Sequence, residues 1–333
     1  MGSSSSQRLG AVGEALVADV LRRTGVVLDI GIARIRVRTR SMRFARQLKQ
    51  VYRDFPLAHD PGWADIHVDL AAPSGLRRWI RPQVVFRCDG SQPFDPFPAD
   101  SPLPLFEWGA NWLIGQRCND YLLFHAGVVE RDGHALILPA LPGSGKSTLS
   151  AALSLRGWRL LSDEFGALDP ETGLLHAVLK PVALKNQSID VIRRWAPAAP
   201  IGPLFPKTRK GTVAHLAASP DAVTRRHEPA RPGAVVLPRW VAGSPTEWRR
   251  LPPEEVFRAL AFNSFNYAVL GEEGFRAAVR IARQCPAWQL VYSDLADAAA
   301  LLEREWPSAC AAADAVAELE PRTDARDAVA ARA

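Results

Sequence analysis

The chain has 333 residues, of which 47% are hydrophobic, and its 41 Lys and Arg against 35 Asp and Glu give a net charge of +6. This length and hydrophobic content suit one large domain or two smaller ones with a substantial core. The basic excess is mild and spread along the chain, so it argues against nucleic acid as a main partner and is compatible with a small anionic ligand. The four cysteines are far apart and form no CxxC pair, which predicts free thiols rather than a disulfide framework or a zinc site.

The sequence contains no signal for the membrane. No stretch approaches the ~18 continuous apolar residues of a membrane span, and the opening MGSSSSQRLG lacks the apolar core of a secretory signal. We therefore expect a cytoplasmic protein. The sequence leaves the oligomeric state open, a homo-oligomer included.

Residues 1–103 are predicted to form an N-terminal α+β region. The apolar patterns predict helices 11–23 and 41–55 and strands 27–39, 65–71 and 83–88. The proline-rich connector 91–105 marks the boundary of this region.

Residues 104–307 are predicted to form a larger α/β unit, followed by a flexible tail over 308–333 that is rich in Ala, Asp and Arg. The first helix of this unit, 105–117, carries Trp108 and Trp112 one helical turn apart, a spacing typical of a face that packs on the core. The other predicted elements are helices 147–157, 185–196, 253–262, 273–283 and 294–305, a hairpin of strands 121–129 and 134–139, and strands 158–162, 212–216, 233–238 and 287–292.

The stretch ALILPALPGSGKST places an apolar strand before a glycine-rich turn and a helix after it, which is the context of a phosphate-binding P-loop. Gly143 and Gly145 let backbone N–H groups turn toward phosphate oxygens without a Cβ in the way. Lys146 supplies a point charge to the β- and γ-phosphates, and the Ser147 hydroxyl can join a magnesium shell at the helix N-terminus. Ala140 stands where the usual pattern begins with glycine. We expect ATP to be bound by Pro142, Gly143, Ser144, Gly145, Lys146, Ser147 and Thr148.

Two adjacent acids, Asp163 and Glu164, follow a short apolar strand in the stretch LLSDEF, 17 positions (163 minus 146) after Lys146. We expect them at the carboxyl edge of the sheet beside the glycine loop, because ligands bind at that edge in parallel α/β sheets. Successive residues of an extended chain point in opposite directions, so one acid can face a metal ion and the other the group being phosphorylated. Mg²⁺, Lys146 and the loop amides would supply compensating positive potential. The competing interpretation is a pair of exposed turn acids or a helix cap.

Four stretches in fixed order carry a resemblance to a known family: FHAGVV, LPGSGKSTLSAAL, RGWRLLSDEF and KPVALKNQSID. EWGANWLI upstream and KGTVAHL downstream extend it over most of residues 104–220. The chain resembles the HPr kinase/phosphorylase superfamily and, more closely, its bacterial branch of HPr kinase-related kinases. The resemblance implies a P-loop kinase domain with a fold similar to phosphoenolpyruvate carboxykinase.

The resemblance also implies ATP-dependent phosphorylation of a serine hydroxyl in a peptide or small protein, with a role near peptide modification. Carried over by position, Asp163 would accept the hydroxyl proton, Glu164 would support magnesium together with Ser147, and His125 would lie beside the reacting phosphates with Lys146. These roles are coherent, because phosphoryl transfer needs an aligned nucleophile, charge neutralisation and a nearby proton acceptor.

Two departures from the family pattern bear on these expectations. HPr kinases carry a further acid in a Glu-x-Arg-Gly segment, whereas the corresponding stretch here offers Lys180, Lys185 and Asn186, so the metal shell is incompletely assigned. The N-terminal region does not match that of HPr kinase, which makes HPr itself a doubtful acceptor, and phosphorylase activity does not follow.

The segment 206–216, PKTRKGTVAHL, places Lys207, Arg209 and Lys210 beside a glycine. It predicts either a loop that closes over ATP or grips an acidic substrate, or a solvated surface loop. Two other functions stay open, a kinase of a sugar or other small alcohol and a nucleotide-binding regulator without catalysis. A peptide-sized groove would favour the peptide acceptor, and a closed polar pocket would favour the small molecule.

Overall fold

The structure is a computed structural model that describes residues 7–58, 62–74, 82–141 and 143–319. Over these ranges the chain is a mixed α/β protein with a five-stranded, an eight-stranded, a three-stranded and a two-stranded sheet. The α/β class predicted from the sequence is confirmed, although the largest sheet contains both parallel and antiparallel pairs. In the described ranges, no helix is both long and apolar enough to cross a bilayer.

The N-terminal part combines short strands with two α-helices. Its elements are β1 (Gln7–Arg8), a 3₁₀ helix (Leu9–Ala11), α1 (Glu14–Arg23), β2 (Val26–Asp29), β3 (Arg34–Thr39), α2 (Met42–Val51), β4 (Pro56–Leu57), β5 (Ile66–Ala71), β6 (Gln83–Arg87) and β7 (Phe97–Pro98). The five-stranded sheet has the order β2-β3-β5-β6-β7, and β1 pairs with β4.

The predicted strand 27–39 is two strands, β2 and β3, which pair antiparallel. The chain reverses near Gly31, which has a φ of 106° and whose Cβ, if it had one, would lie 2.3 Å from the Ala177 carbonyl oxygen. Only glycine fits that conformation and that contact. The expected alternation persists along β3, where Ile35 and Val37 are buried between outward-facing arginines.

The second part begins with a long helix and contains the largest sheet. Its elements are α3 (Pro102–Arg117), β8 (Leu122–Arg131), β9 (His134–Pro139), α4 (Lys146–Leu155), β10 (Arg159–Ser162), β11 (Phe165–Leu168), β12 (Leu175–His176), β13 (Val182–Lys185), α5 (Gln187–Trp195), β14 (Phe205–Thr208), β15 (Gly211–Leu216), α6 (Pro220–Thr224), β16 (Arg231–Trp240), β17 (Glu247–Arg250), α7 (Pro253–Phe262), α8 (Tyr267–Gln284), β18 (Ala287–Tyr292) and α9 (Leu295–Leu319). The eight-stranded sheet has the order β12-β11-β8-β9-β16-β18-β17, with β10 also paired to β8, and β13, β15 and β14 form a separate three-stranded sheet.

Strand β8 organises the centre of the large sheet. On one side it forms the predicted hairpin with β9, and the turn uses positive φ angles at Asp132 and Gly133. On its other side, the first half of β8 pairs antiparallel with β11 and the second half pairs antiparallel with β10. Strands β9 and β10 both run antiparallel to β8. Their C-terminal ends lie near each other along β8, because β9 ends opposite Ala126 and β10 ends opposite Val128.

Helix α3 packs on the N-terminal sheet, although the sequence groups it with residues 104–307. Gly109 lies so close to the ring of Phe86 in β6 that an added Cβ would be 2.2 Å from it. The Tyr52 hydroxyl, at the end of α2, donates to the Glu107 carboxylate of α3 at 2.6 Å. A single buried hydrophobic cluster runs from Leu9 to Ala309 across the predicted boundary, so core packing joins the two parts.

The interpretation that Trp108 and Trp112 share a face packed on the core is wrong for Trp112, whereas Trp108 is partly buried against the core. The core side of α3 is formed by residues such as Phe106, whereas Trp112 is 40% exposed. Trp108 is half-buried, with its ring stacked on Phe94 and Phe97 at centroid distances of 4.5 and 5.6 Å. A four-residue spacing shows that two side chains share a helix face, but it does not show whether that face meets the core or a cavity.

The prediction of a flexible tail from residue 308 is wrong for its first part, because α9 continues to Leu319. Ala309 and Ala313, one turn apart, are buried, and this packing sustains the helix beyond Pro307 despite the lost backbone hydrogen bond. Residues 320–333 lie outside the described residues. All four cysteines are free thiols.

Candidate functional site

The glycine loop lies between β9 and α4. Gly143 and Gly145 both have a φ of 89°, in the left-handed region that favours glycine. Two hydrogen bonds fix the shape of the loop: Trp240 N donates to Ser144 O at 2.9 Å, and the Tyr292 hydroxyl donates to Gly145 O at 3.3 Å. Both of these bonds use loop carbonyl groups. The Ser144 N–H donates to Leu141 O at 3.3 Å, so the N–H groups left for an anion are those of the first turn of α4.

Of the residues predicted to bind ATP, Pro142 lies outside the described residues and the others form the loop and the first turn of α4. The N–H groups of Lys146, Ser147 and Thr148 have no acceptor within the helix, as at any helix start. Ala140, at the position of the usual first glycine, donates its N–H to His125 O at 3.4 Å and so extends the β8–β9 ladder up to the loop.

The Lys146 side chain is buried and crosses β8 at Gly127. Its ammonium group donates to the Asp163 carbonyl oxygen and lies 4.0 Å from Asp163 Oδ1. Gly127 permits this crossing, because a Cβ there would lie 2.3 Å from Ser150 Oγ and 3.3 Å from Lys146 Cγ. The fold therefore brings Gly127, Lys146 and Asp163 into contact.

Asp163 and Glu164 do not lie at the end of the sheet, as the sequence predicts, but at an interruption within it. The strand stops after Ser162, paired with Val128, and resumes at Phe165, paired with His125. The Ser162 hydroxyl accepts the N–H groups of Glu164 and Phe165 at 3.2 and 3.0 Å and stabilises this bend. The sequence does not predict β11, and therefore it places the acids at an edge.

Asp163 is buried, so its interpretation as an exposed turn acid is wrong. Burial raises the pKa of Asp163 to about 6, with Lys146 opposing the rise, Glu164 adding to it and a hydrogen bond with Ser147 also opposing it. Its Oδ1 atom is buried and makes no hydrogen bond within the described residues. A carboxylate with one unsatisfied oxygen and a pKa near neutrality can both accept a proton and bind a cation.

Glu164 is held ionised by neighbouring basic groups. Burial pushes its pKa up, but Lys146, His125, Lys185 and Lys210 outweigh that effect and lower the pKa below its ordinary value. The compensating charge for the acid pair therefore comes from three lysines of different segments, two of which the sequence did not assign to the site.

His125 lies on β8 with its Nε2 atom 3.7 Å from Glu164 Oε1. Burial and the charge of Lys146 lower the pKa of His125, despite the opposing effect of Glu164. The imidazole is therefore neutral at pH 7 and can donate or accept a hydrogen bond beside the acids. The backbone N–H of His125 donates to the Asn263 carbonyl oxygen at 2.5 Å.

The basic segment 206–216 is a hairpin of β14 and β15, anchored to Asn186. The Asn186 backbone N–H donates to Thr212 O at 2.9 Å, and its side-chain Oδ1 accepts from Thr212 N at 3.0 Å. Gly211 has a φ of 84°, and a Cβ there would lie 2.4 Å from Asn186 Oδ1. This anchor sets the turn that carries Lys210 near Glu164, whereas Arg209 pairs with Asp95 at 3.0 Å.

A cavity of about 420 Å³ adjoins the acids, and its lining includes Asp163 and Glu164. Among the described residues, none of the glycine loop or of α4 lines it, so the acids separate the loop from the cavity. Its walls are rich in aromatic side chains, which are Phe97, Trp108, Trp112, Phe165 and Phe265. The face of α3 that the sequence assigned to the core thus forms one wall of this cavity.

Part of the cavity lining is a polar network around Lys180. Lys180 Nζ lies 2.9 Å from Glu107 Oε2 and donates to Asn111 Oδ1 at 2.5 Å. Burial lowers the pKa of His215 to about 4, so this neighbouring ring is neutral, and its Nδ1 atom makes no hydrogen bond within the described residues. Lys180 is therefore committed to Glu107 and is not a free cation for phosphate.

The donor set near Lys146 suits a magnesium ion that is shared with phosphate. Across the described ranges, no group of three or more His, Cys, Asp or Glu side chains could hold a metal by itself. Asp163, Glu164 and the Ser147 hydroxyl nevertheless offer oxygen donors, one of them the unsatisfied Asp163 Oδ1. Mg²⁺ typically takes one or two carboxylates and completes its shell with phosphate oxygens and water.

No protein-family model matches the chain, and no curated protein matches it. The chemistry of the site is therefore inferred from its residues and their geometry.

We expect Gly127→Ala to displace α4 and Lys146, because the new methyl group would meet Ser150 Oγ at 2.3 Å. Overpacking of this kind costs about 1–3 kcal/mol, and ATP affinity should fall with the displaced lysine. Urea unfolding and ATP titration measure the two effects.

The double variant Gly127→Ala/Ser150→Ala tests the cause, because it removes the clashing oxygen and should recover most of both losses. Gly115→Ala serves as the control for stability, since the nearest atom to its Cβ would be 3.9 Å away. A single variant with the stability and ATP affinity of the parent would contradict the crossing of Lys146 over Gly127.

Proposed function

We propose that this protein is an ATP-dependent kinase that transfers the γ-phosphate to a hydroxyl, with a serine of a peptide or small protein as the favoured acceptor. The observation that carries the proposal is the position of Asp163. It touches the lysine of the glycine loop on one side and lines the aromatic cavity on the other. The loop would present the γ-phosphate, and the cavity would present the acceptor.

In this proposal the residues of the chain divide the work. The loop N–H groups and Lys146 bind the phosphates and neutralise their charge. The acceptor hydroxyl enters from the cavity, and its oxygen forms a bond to the γ-phosphorus while the bond to the β,γ-bridging oxygen breaks. ADP leaves with the electron pair, and the hydroxyl proton goes to the Asp163 carboxylate. Neutral His125, next to Glu164, would donate a hydrogen bond to the reacting phosphates.

Glu164 and the Ser147 hydroxyl would hold Mg²⁺ together with phosphate oxygens. When bound, the ion would neutralise charge on the phosphates. The proximity of Lys146, Lys185 and Lys210 to Glu164 supports the same function, because it concentrates positive potential where a triphosphate would end.

The cavity also favours a second candidate, a kinase of a small alcohol. A volume of about 420 Å³ lies within the ~300–1,000 Å³ of small-molecule sites, and it also suits one or two side chains of a peptide. The aromatic walls favour an acceptor with an apolar or aromatic group beside its hydroxyl. They disfavour a bare sugar, whose hydroxyl groups would lose hydration against these walls.

The full-length protein, incubated with ATP labelled in its γ-phosphate and an extract of the source cells, tests the proposal. We expect label on a hydroxyl of one acceptor, in the peptide and protein fraction for the favoured function or in the small-molecule fraction for the second candidate. Asp163→Asn is the control that should lose either signal. ATP binding without label in either fraction would contradict the kinase and leave a nucleotide-binding regulator.

A further inference from the structure

An exposed tryptophan lies against the glycine loop on the side away from the acids. Trp240 ends β16 and is 46% exposed. Its Cβ atom lies 3.1 Å from where a Cβ of Gly145 would be, and its backbone N–H donates to Ser144 O at 2.9 Å. The indole N–H donates to Ser293 O at 3.1 Å, so the plane of the ring is tied to the end of β18.

The order of the strands indicates which part of a bound nucleotide would lie near Trp240. The loop strand β9 has β8 and the acid pair on one side and β16, followed by β18, on the other. In the proposed kinase the terminal phosphate points to Asp163, so the rest of the nucleotide must extend away from the acids. The ends of β16 and β18, where Trp240 and Ser293 lie, are on that side.

We propose that Trp240 is the stacking platform for the nucleobase, and that the base is a purine. The inference rests on the proposed ATP binding and extends it to the recognition of the base. A bicyclic indole offers a large flat surface to a bicyclic base, and stacking on an aromatic side chain contributes substantially to nucleotide binding. The bond to Ser293 O orders the ring before ligand binding, which reduces the entropy cost.

Two further features of the loop fit a built site. Ser144, whose carbonyl oxygen accepts the Trp240 N–H, has a buried Oγ atom that makes no hydrogen bond within the described residues. Leu141, at the start of the loop, is 58% exposed. An apolar side chain and a fixed indole, both exposed at a phosphate-binding loop, suit a ligand that is charged at one end and flat and apolar at the other.

Titration of the full-length protein with ATP and with inorganic tripolyphosphate tests the inference. Trp240→Ala should weaken ATP binding by about 5- to 100-fold and leave tripolyphosphate binding within about twofold, because only ATP carries a base. Trp240→Phe should retain most of the affinity for ATP. Trp63→Ala, at another exposed tryptophan in the N-terminal part, is the control and should change neither titration.

The outcomes separate the two proposals. ATP binding by Trp240→Ala at the parent's affinity would overturn the base platform and leave the kinase intact. An equal loss of ATP and tripolyphosphate binding would also overturn it, since the substitution would then act on the shape of the loop. A parent protein that binds neither compound would overturn the proposed function, and the base platform with it.

Discussion

Asp163→Asn should lower phosphoryl transfer by about 10²–10⁴-fold, the usual contribution of a general base, while ATP affinity changes only a few-fold. The amide preserves the size of the side chain and can still hydrogen-bond, but it cannot take the acceptor proton. Lys146 also keeps its strongest contact, because it donates to the Asp163 backbone carbonyl. Single-turnover transfer and ATP titration on the same preparation measure the two quantities. Equal turnover in variant and parent would remove the base role from Asp163.

The pH dependence of the parent should report the same carboxylate. Burial raises the pKa of Asp163 to about 6, and a base must be deprotonated to work. The ratio kcat/KM should therefore fall as the pH drops below about 6, by about tenfold per pH unit at the lower end. The residual activity of Asp163→Asn should lack this limb of the profile.

Stability supplies the control against unfolding of the variant. The native pKa of Asp163, about 6, lies above its ordinary value of 3.8, so the native state holds this proton more tightly than the unfolded chain does. Between these two values the free energy of unfolding decreases as pH rises, and above about 6 the buried charge costs about 1–3 kcal/mol. Asp163→Asn should be more stable than the parent at pH 7 by about that amount, and the gap should close toward pH 4. Urea unfolding at both pH values measures it.

Lys146→Ala should weaken ATP binding by about 10- to 100-fold, the value of one or two charge-assisted hydrogen bonds, and lower transfer further. The lysine contacts Asp163 in the free protein, so its removal also leaves two neighbouring acids without their nearest cation. That second effect should raise the pKa of Asp163 beyond about 6 and shift the acid limb of the rate profile upward.

Lys49→Ala, on α2 of the N-terminal part, is the matched control for the lost charge and should bind ATP within about twofold of the parent, because surface charges contribute little at a distance. Parent-like ATP affinity together with parent-like transfer in Lys146→Ala would contradict the assignment of the loop as a phosphate site. A normal affinity with lost transfer would instead move Lys146 from binding to transition-state stabilisation.

The parts of the site that the sequence predicts are those that depend on neighbouring residues. Gly143, Gly145 and Lys146 take their conformation from the strand before them and the helix after them, and hairpin β8–β9 follows from the turn at Asp132 and Gly133. Each of these features is local, so pattern and backbone preference are sufficient to find it.

The parts that the sequence misses depend on pairings across the fold. Nothing near Phe165 indicates that β11 continues along β8, which is why the sequence predicts an edge position for the acids. Lys185 and Lys210 reach Glu164 only because Asn186 anchors the turn of the next hairpin. The sequence shows the basic segment and the lysines in place of the family's acid. It does not show that these lysines converge on one carboxylate.

Helix α3 connects the N-terminal sheet to the cavity beside Asp163. One face of this helix is sealed into the N-terminal sheet through Gly109 and Phe86, and another carries Trp108 to the cavity beside Asp163. Tyr52, in the N-terminal part, donates a hydrogen bond to Glu107, which lines the same cavity. In the proposed kinase, changes in the first hundred residues would therefore alter the cavity for the acceptor, and the N-terminal part could not be exchanged as an independent module.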